Sequence, residues 1–289
     1  MNEFVFPEIK AGLYIVSLPI GCLSDISFRA LHMLSNSDYV AGEDTRNVKS
    51  LFKLLKISKS MKEIISYHDH SSANTRRKII DMIKEGKSVA LVCDAGTPLI
   101  SDPGYKLVNN AIEEGLEVFT VPGPSSVISA LTVSGLPTDT FSFLGFLPST
   151  KSKKKKLLGT YLKLENSLII FESGKRLQKT LELLSETCNP STEICICREL
   201  TKFNEEITRF EAEEGAKVIK KMRSSKGEFV VIVGKNETKD FDLKNLDEQL
   251  KKLKKSMSMK GTVDFLAERL KIPRKTIYKK ALTIFKGEN

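Results

Sequence analysis

Five consecutive apolar or small residues, Val89, Ala90, Leu91, Val92 and Cys93, run up to Asp94, and the chain then breaks at Gly96, Pro98, Pro103 and Gly104. A short unbroken apolar run bounded by turn residues marks a strand buried on both faces, as in a parallel sheet. Helical spacing resumes over 105–114. A loop leaving the carboxyl end of such a strand is where α/β proteins hold ligands. This loop, D-A-G-T-P-L-I-S-D-P-G, has neither the G-x-G-x-x-G spacing nor the lysine of a phosphate-binding loop. It offers Asp94, Thr97, Ser101 and Asp102, so a ribose or an amino acid suits it better than a pyrophosphate.

The same strand-then-helix alternation recurs along the first half. Strand patterns fall at 13–18, 39–41, 64–67 and 118–121, and helical patterns at 26–34, 48–55, 76–83 and 125–133. Such alternation predicts a largely parallel sheet with helices on both faces. After a strand at 141–147, the lysine-rich stretch 148–166 reads as a connection. A second set follows, with strands at 167–171, 193–197, 207–210 and 229–233 and helices at 175–186 and 216–222. Strands outnumber helices there, which favours a mixed sheet. The expected organisation is a first α/β domain over 1–147, the connection 148–166, a second α/β domain over 167–236 and a helical extension over 245–289.

Charge is unevenly placed. The formal net charge is +10, and residues 244–289 carry thirteen Lys/Arg against five Asp/Glu, a net +8. A second basic cluster falls at Lys151, Lys153, Lys154, Lys155 and Lys156. Such asymmetry points to a polyanionic partner, with a solvated lysine-rich surface as the plainer reading. Within the extension, Val263, Phe265, Leu266 and Leu270 form one apolar face and Ile277, Ala281, Leu282 and Phe285 another, across Lys271, Ile272, Pro273 and Arg274. The pattern fits a helix-turn-helix unit or a simple helical hairpin.

No run approaches the ~18 apolar residues of a membrane span, and the N-terminus lacks a signal-peptide layout, so a cytoplasmic protein is expected. Cys22, Cys93, Cys188, Cys195 and Cys197 are scattered and read as buried thiols rather than a metal or redox set.

Three further segments share the strand-end layout: S-L-P-I-G at 17–21, V-P-G-P-S-S at 121–126 and F-E-S at 171–173. Four such ends from both halves suggest one ligand held in an interdomain cleft. Together with A-G-E-D-T-R at 41–46, S-Y-H-D-H at 66–70, S-G-L-P-T-D at 134–139, R-E-L-T-K at 198–202 and G-E-F-V-V-I-V-G at 227–234, they resemble the tetrapyrrole methylase superfamily. More narrowly, they resemble its ribosomal RNA branch, the small subunit methyltransferase I family.

The resemblance covers nearly the whole chain. It implies two α/β domains with the methyl donor, S-adenosylmethionine, in the cleft between them, commonly as a homodimer. It also implies methylation of a cytidine ribose 2′-hydroxyl in 16S ribosomal RNA of the small subunit. Donor contacts would fall on Leu18, Asp94, Thr97, Ile100, Ser101, Ser126, Val127, Ala130, Phe171, Leu200, Gly227 and Glu228. Two positions depart from the family pattern: Cys22 stands where Asn is usual, and Gly174-Lys175 where Pro-His is usual.

Methyl transfer from a sulfonium is an in-line displacement that calls for no metal, and no metal-ligand cluster stands out in the sequence. It does call for alignment and for help in removing the hydroxyl proton. Glu43, Asp44, His68, His70, Asp102 and Glu199 are candidates for that help, and Arg46 and Arg198 could hold a phosphate. Plainer roles stand beside these: Asp44 as a helix cap, and the two histidines as surface residues. A tetrapyrrole C-methyltransferase of the same superfamily is an alternative, but it leaves the basic extension without a use. A non-catalytic RNA-binding module is a second alternative.

Overall fold

The computed structural model describes residues 6–60, 63–164, 166–236, 243–270 and 274–286. They form two compact units divided between Asn236 and Glu237.

The larger unit contains two five-stranded sheets. The first is wholly parallel. Its strands are β1 (Gly12–Val16), β2 (Tyr39–Gly42), β3 (Ile64–Ser66), β4 (Ser88–Val92) and β5 (Val118–Val121), in the order β3-β2-β4-β1-β5. Because side chains alternate across a strand, Ala90 and Val92 pack on one face with α1 (Phe28–Asn36) and α2 (Thr45–Leu54). Val89 and Leu91 pack on the other with α3 (Ala73–Lys84) and α4 (Tyr105–Glu113). Every residue of β4 is therefore buried, as its unbroken apolar run predicts.

The second sheet is mixed. Its strands are β6 (Phe141–Phe146), β7 (Ser167–Ser173), β8 (Glu193–Arg198), β9 (Glu206–Glu211) and β10 (Glu228–Val233), in the order β6-β7-β10-β8-β9. Only β6 and β7 pair in parallel. Helices α6 (Lys151–Tyr161), α7 (Gly174–Thr187) and the short α8 (Gly215–Val218) cover one face, where Leu158, Leu177, Leu181 and Val218 meet Leu168, Ile170 and Val231. The other face is covered by α5 (Ser126–Ser134), which leaves β5 of the first sheet and buries Val127, Ala130 and Leu131 against Ile169, Cys195, Cys197 and Val230. One helix thus ties the two halves together.

The stretch 148–166 is not a bare connection. It holds α6, whose Leu158 is fully buried and whose Lys154 also turns inward. The lysines at 153–156 mask an apolar stripe of Leu157, Leu158, Tyr161 and Leu162 that packs into the core. Likewise β6, assigned to the first half by position, pairs with β7.

The smaller unit consists of α9 (Leu243–Lys254), α10 (Met259–Leu270) and α11 (Arg274–Lys286) around Leu246, Leu250, Val263, Leu266, Ile277 and Ala281. Two helices were expected. Helix α9 extends the hairpin to three because Leu246 and Leu250 share one face. Phe265 does not join that core: it is 41% exposed, with the Arg269 guanidinium 5.9 Å from its ring centre. The turn at 271–273 lies outside the described residues. No helix of the described residues is long and apolar enough to cross a membrane.

Candidate active site

Strand order decides what meets at the carboxyl edge of the first sheet. Strands β4, β1 and β5 are neighbours, so the loops that follow them are neighbours too. The Thr97 hydroxyl donates to the Pro124 carbonyl at 3.0 Å and lies 2.9 Å from the Ser17 hydroxyl. One side chain of the opening loop therefore joins all three strand ends. Leu18 and Gly96 exchange two backbone hydrogen bonds, of 2.8 and 3.1 Å, which fix the first loop to the second.

On the second sheet, antiparallel pairing brings the start of β10 beside the ends of β7 and β8. Glu228 faces Ser173, Phe229 faces Arg198, and the parallel β6 sets Phe146 opposite Phe171. A cleft of about 330 Å³ opens between the two edges. Its lining includes Asp94, Thr97, Ile100, Ser101, Asp102, Ser126, Val127, Phe171, Leu200, Gly227 and Glu228. Ten of the twelve expected donor contacts are thus gathered there. The other two are not lining residues: Ala130 is fully buried under the second sheet, and Leu18 faces a neighbouring groove.

Two features make the cleft receptive. Ser125 and Ser173 hold the N-cap positions of α5 and α7 and line the cleft; neither side chain makes a capping bond, and at α7 the Ser173 amide donates to the Glu172 carboxylate at 2.9 Å. Helix N-termini attract carboxylates. Backbone strain is also concentrated here. Of five non-glycine residues with left-handed backbone among the described ones, Leu99 and Ser101 belong to one wall and Glu199 and Thr201 to the other. Such conformations cost about 1–3 kcal/mol each and cluster where a loop must present a ligand surface.

Beside the cleft lies a second groove of about 310 Å³, which shares Ile20, Asp94, Ala95 and Glu228 with it. Leu51 and Leu54 of α2 and Lys202 complete its walls.

Asp102 lies where acids converge. Burial pushes its carboxyl up to about 6, and the nearby charges of Glu43, Asp94 and Asp69 add to the shift. Glu43 is raised as well, chiefly by burial and then by Asp94 and Asp69. Asn47 donates to Asp94 at 2.9 Å and steadies it. Among the expected catalytic residues, Asp102 lines the cleft, while Glu43 reaches it only through its field.

Asp44 and Arg46 do something else. Asp44 caps α2 through the Arg46 amide at 2.8 Å and pairs with the Arg46 guanidinium at 2.6 Å, which holds its carboxyl down at about 2. Arg198 is buried and bonds the carbonyls of Lys226 and Asn204, so it is not presented to a phosphate. Glu199 accepts from the Glu228 amide at 2.8 Å and from Lys202 at 3.1 Å, which lower its pKa against the effect of burial. His68 is half-buried and His70 exposed, their ring centres 6.3 Å apart.

Cys93, Cys188, Cys195 and Cys197 are buried as expected, whereas Cys22, in the loop after β1, is only half-buried. Cys195 and Cys197 place their Sγ atoms 3.9 Å apart under α5, and burial raises the Cys93 thiol. Among the described residues, no three His, Cys, Asp or Glu side chains converge to hold a metal ion.

Phe146, the buried pairing of Glu172 and the groove residues of α2 are not legible in the sequence. Phe146 ends a strand assigned to the other half, and Glu172 follows an apolar run as core acids seldom do. Its carboxylate is buried, accepting from Thr180 at 2.6 Å and pairing with Arg176 at 3.1 Å and Lys154 at 3.6 Å.

The family model of Tetrapyrrole (Corrin/Porphyrin) Methylases matches residues 12–216. A ribosomal RNA small subunit methyltransferase I of Rickettsia prowazekii is 41% identical over 93% of this chain and 96% of its own length. The one from Halalkalibacterium halodurans is 41% identical over 78% of this chain and 77% of its own. The chain belongs to the tetrapyrrole methylase family, in its small subunit methyltransferase I branch.

Solved structures share the methylase fold at low identity. The methyltransferase CobJ covers 78% of the chain at TM-score 0.58 and 16% identity, and spans 94% of its own length. A diphthine synthase covers 77% at TM-score 0.60 and 13% identity, over 89% of its own.

Gly174 and Cys22 have distinct local settings. A Cβ on Gly174 would lie 1.9 Å from the Ser225 carbonyl oxygen, so the position is closed to any side chain here. Cys22 contributes through its backbone, its amide donating to the Thr201 hydroxyl at 3.0 Å across the two halves.

Proposed function

We propose that the chain transfers a methyl group from S-adenosylmethionine to the ribose 2′-hydroxyl of a cytidine in 16S ribosomal RNA of the small subunit. The observation that carries the reading is the near full-length match to the Rickettsia prowazekii relative, whose name states methyl transfer to small-subunit ribosomal RNA. The geometry supports it independently, with two adjoining recesses that share one wall.

The cleft fits the donor. Phe171, Val127, Leu200 and Ile100 give an apolar face for an adenine. Asp94, Ser101 and Glu228 offer partners for ribose hydroxyls. The N-terminus of α5, where Ser125 and Ser126 line the cleft, suits the carboxylate of the amino-acid end. When bound, the donor supplies an electrophilic methyl on a sulfonium. Gly227 in the cleft wall lets the chain pass close to Glu199: its φ is +116°, and a Cβ there would sit 2.8 Å from Glu199 Cγ.

The second groove takes the ribose of the target nucleotide, across the shared Asp94–Ala95 wall. Its 2′-hydroxyl reaches over that wall into the donor cleft, where Asp102, a lining residue, accepts the proton. A carboxylate with its pKa near 6 is ionised at neutral pH yet more basic than an ordinary Asp, which suits a general base. Glu43 raises that basicity from behind. Burial of the reacting atoms between the two sheets excludes water.

The reading extends to a homodimer in the cytoplasm. Tyr105 and Ile112, exposed on one face of α4, support a contact between copies. Sedimentation at two concentrations checks it, with a dimer expected. The activity is tested by mixing the purified chain with methyl-labelled donor and small subunits from cells lacking it. Label recovered as 2′-O-methylcytidine is the expected result, and no label in RNA would overturn the reading.

A further inference from the structure

Phe203 is the most exposed large apolar side chain of the described residues, with a relative exposure of 103%. It stands on the loop between β8 and β9. That loop is braced throughout. Glu199 and Thr201 take left-handed backbone. The Thr201 amide donates to Glu205 at 2.6 Å, the Lys202 amide to the Glu199 carbonyl at 3.0 Å, and the Glu205 amide to the Lys202 carbonyl at 3.0 Å. The Thr201 hydroxyl is bonded to Cys22 of the opposite wall. The aromatic ring is therefore held out by a fixed loop.

Its place is informative. Leu200 lines the donor cleft and Lys202 the second groove, and Phe203 follows directly. The loop's charges are paired: Lys202 lies between Glu199 and Glu228, and Glu205 holds the Thr201 amide. What remains outward is one aromatic face in a polar ring of Lys202, Asn204 and Glu205. Contacts between protein copies deplete charged residues at their centre, and these surroundings are the reverse. Unpaired RNA bases, by contrast, stack on single aromatic side chains presented by rigid surfaces.

We propose that Phe203 is a stacking platform for an unpaired base of the RNA next to the nucleotide that enters the second groove. The inference rests on the proposed RNA substrate. Stacking there holds the strand in register while the target ribose faces Asp102. Phe203 is a positioning residue and touches neither donor nor reacting atoms.

The test uses the full chain, labelled donor and small subunits lacking the modification. F203A and F203L raise KM for the subunit about tenfold. They leave kcat, donor affinity by calorimetry and the sedimentation coefficient unchanged. F203W and F203Y stay within about twofold of the parent, because each keeps a π face. A leucine variant equal to the parent, or an alanine variant with unchanged KM, overturns the platform. So does an alanine variant that sediments as a smaller species, which would assign Phe203 to a contact between copies. If the unaltered chain methylates no subunit, the RNA reading itself has failed, a result separate from any of these.

Discussion

At the scale of single residues, proton removal turns on Asp102. Asp102→Asn removes the base and lowers turnover by about 10²–10⁴-fold, with donor affinity retained by calorimetry. The same change stabilises the fold. Because the native state raises this carboxyl to about 6, the group favours folding most when it is protonated. That contribution fades as pH rises from about 4 through 6. At pH 8 the asparagine variant is more stable by about 1 kcal/mol after allowance for solvent screening, read by urea unfolding at pH 5 and pH 8. Turnover of the parent rises through an acid limb near pH 6, and Glu43→Gln moves that limb to lower pH by removing a neighbouring charge. A limb unmoved in Glu43→Gln would separate Glu43 from Asp102. The polar strand ends were readable in the sequence because Gly, Pro and Ser punctuate apolar runs. The acid cluster was only half readable, since Asp44 and Arg46 look catalytic in one dimension and become a cap and its partner in three.

At the scale of elements, the cleft depends on α5 and α6 as much as on the loops. Helix α5 starts at one sheet and packs on the other, so its residues are both lining and core. Periodicity shows such a helix but not which sheet it covers. Helix α6 was hidden by its lysines, and its burial depends on Lys154, which donates to Thr180 at 2.8 Å and faces Glu172. Burial lowers the Lys154 pKa, a shift opposed by Glu172. Lys154→Ala leaves a buried carboxylate short of a partner behind Phe171 and Ser173, and costs about 3 kcal/mol. The expected readout is a lower urea midpoint together with a higher KM for the donor. A variant as stable as the parent would show that Arg176 alone satisfies Glu172.

At the scale of the whole molecule, the division between Asn236 and Glu237 separates donor chemistry from most of the excess positive charge. A chain ending at Asn236 keeps the donor cleft intact and binds S-adenosylmethionine as the parent does. It binds RNA more weakly, and its salt slope is shallower by about 0.7 for each phosphate it no longer neutralises. Equal slopes for the two chains would remove the basic unit from RNA binding. The polar stretch after Asn236 marked this division in the sequence, whereas the third helix of the bundle was masked by its lysines. The central claim, methylation of a cytidine ribose in small-subunit RNA, is tested most directly by mapping 2′-O-methylation of that RNA in cells with and without the gene. The expected result is one modified cytidine that disappears on deletion, returns with the unaltered chain and stays absent with Asp102→Asn. An unchanged map on deletion would contradict it.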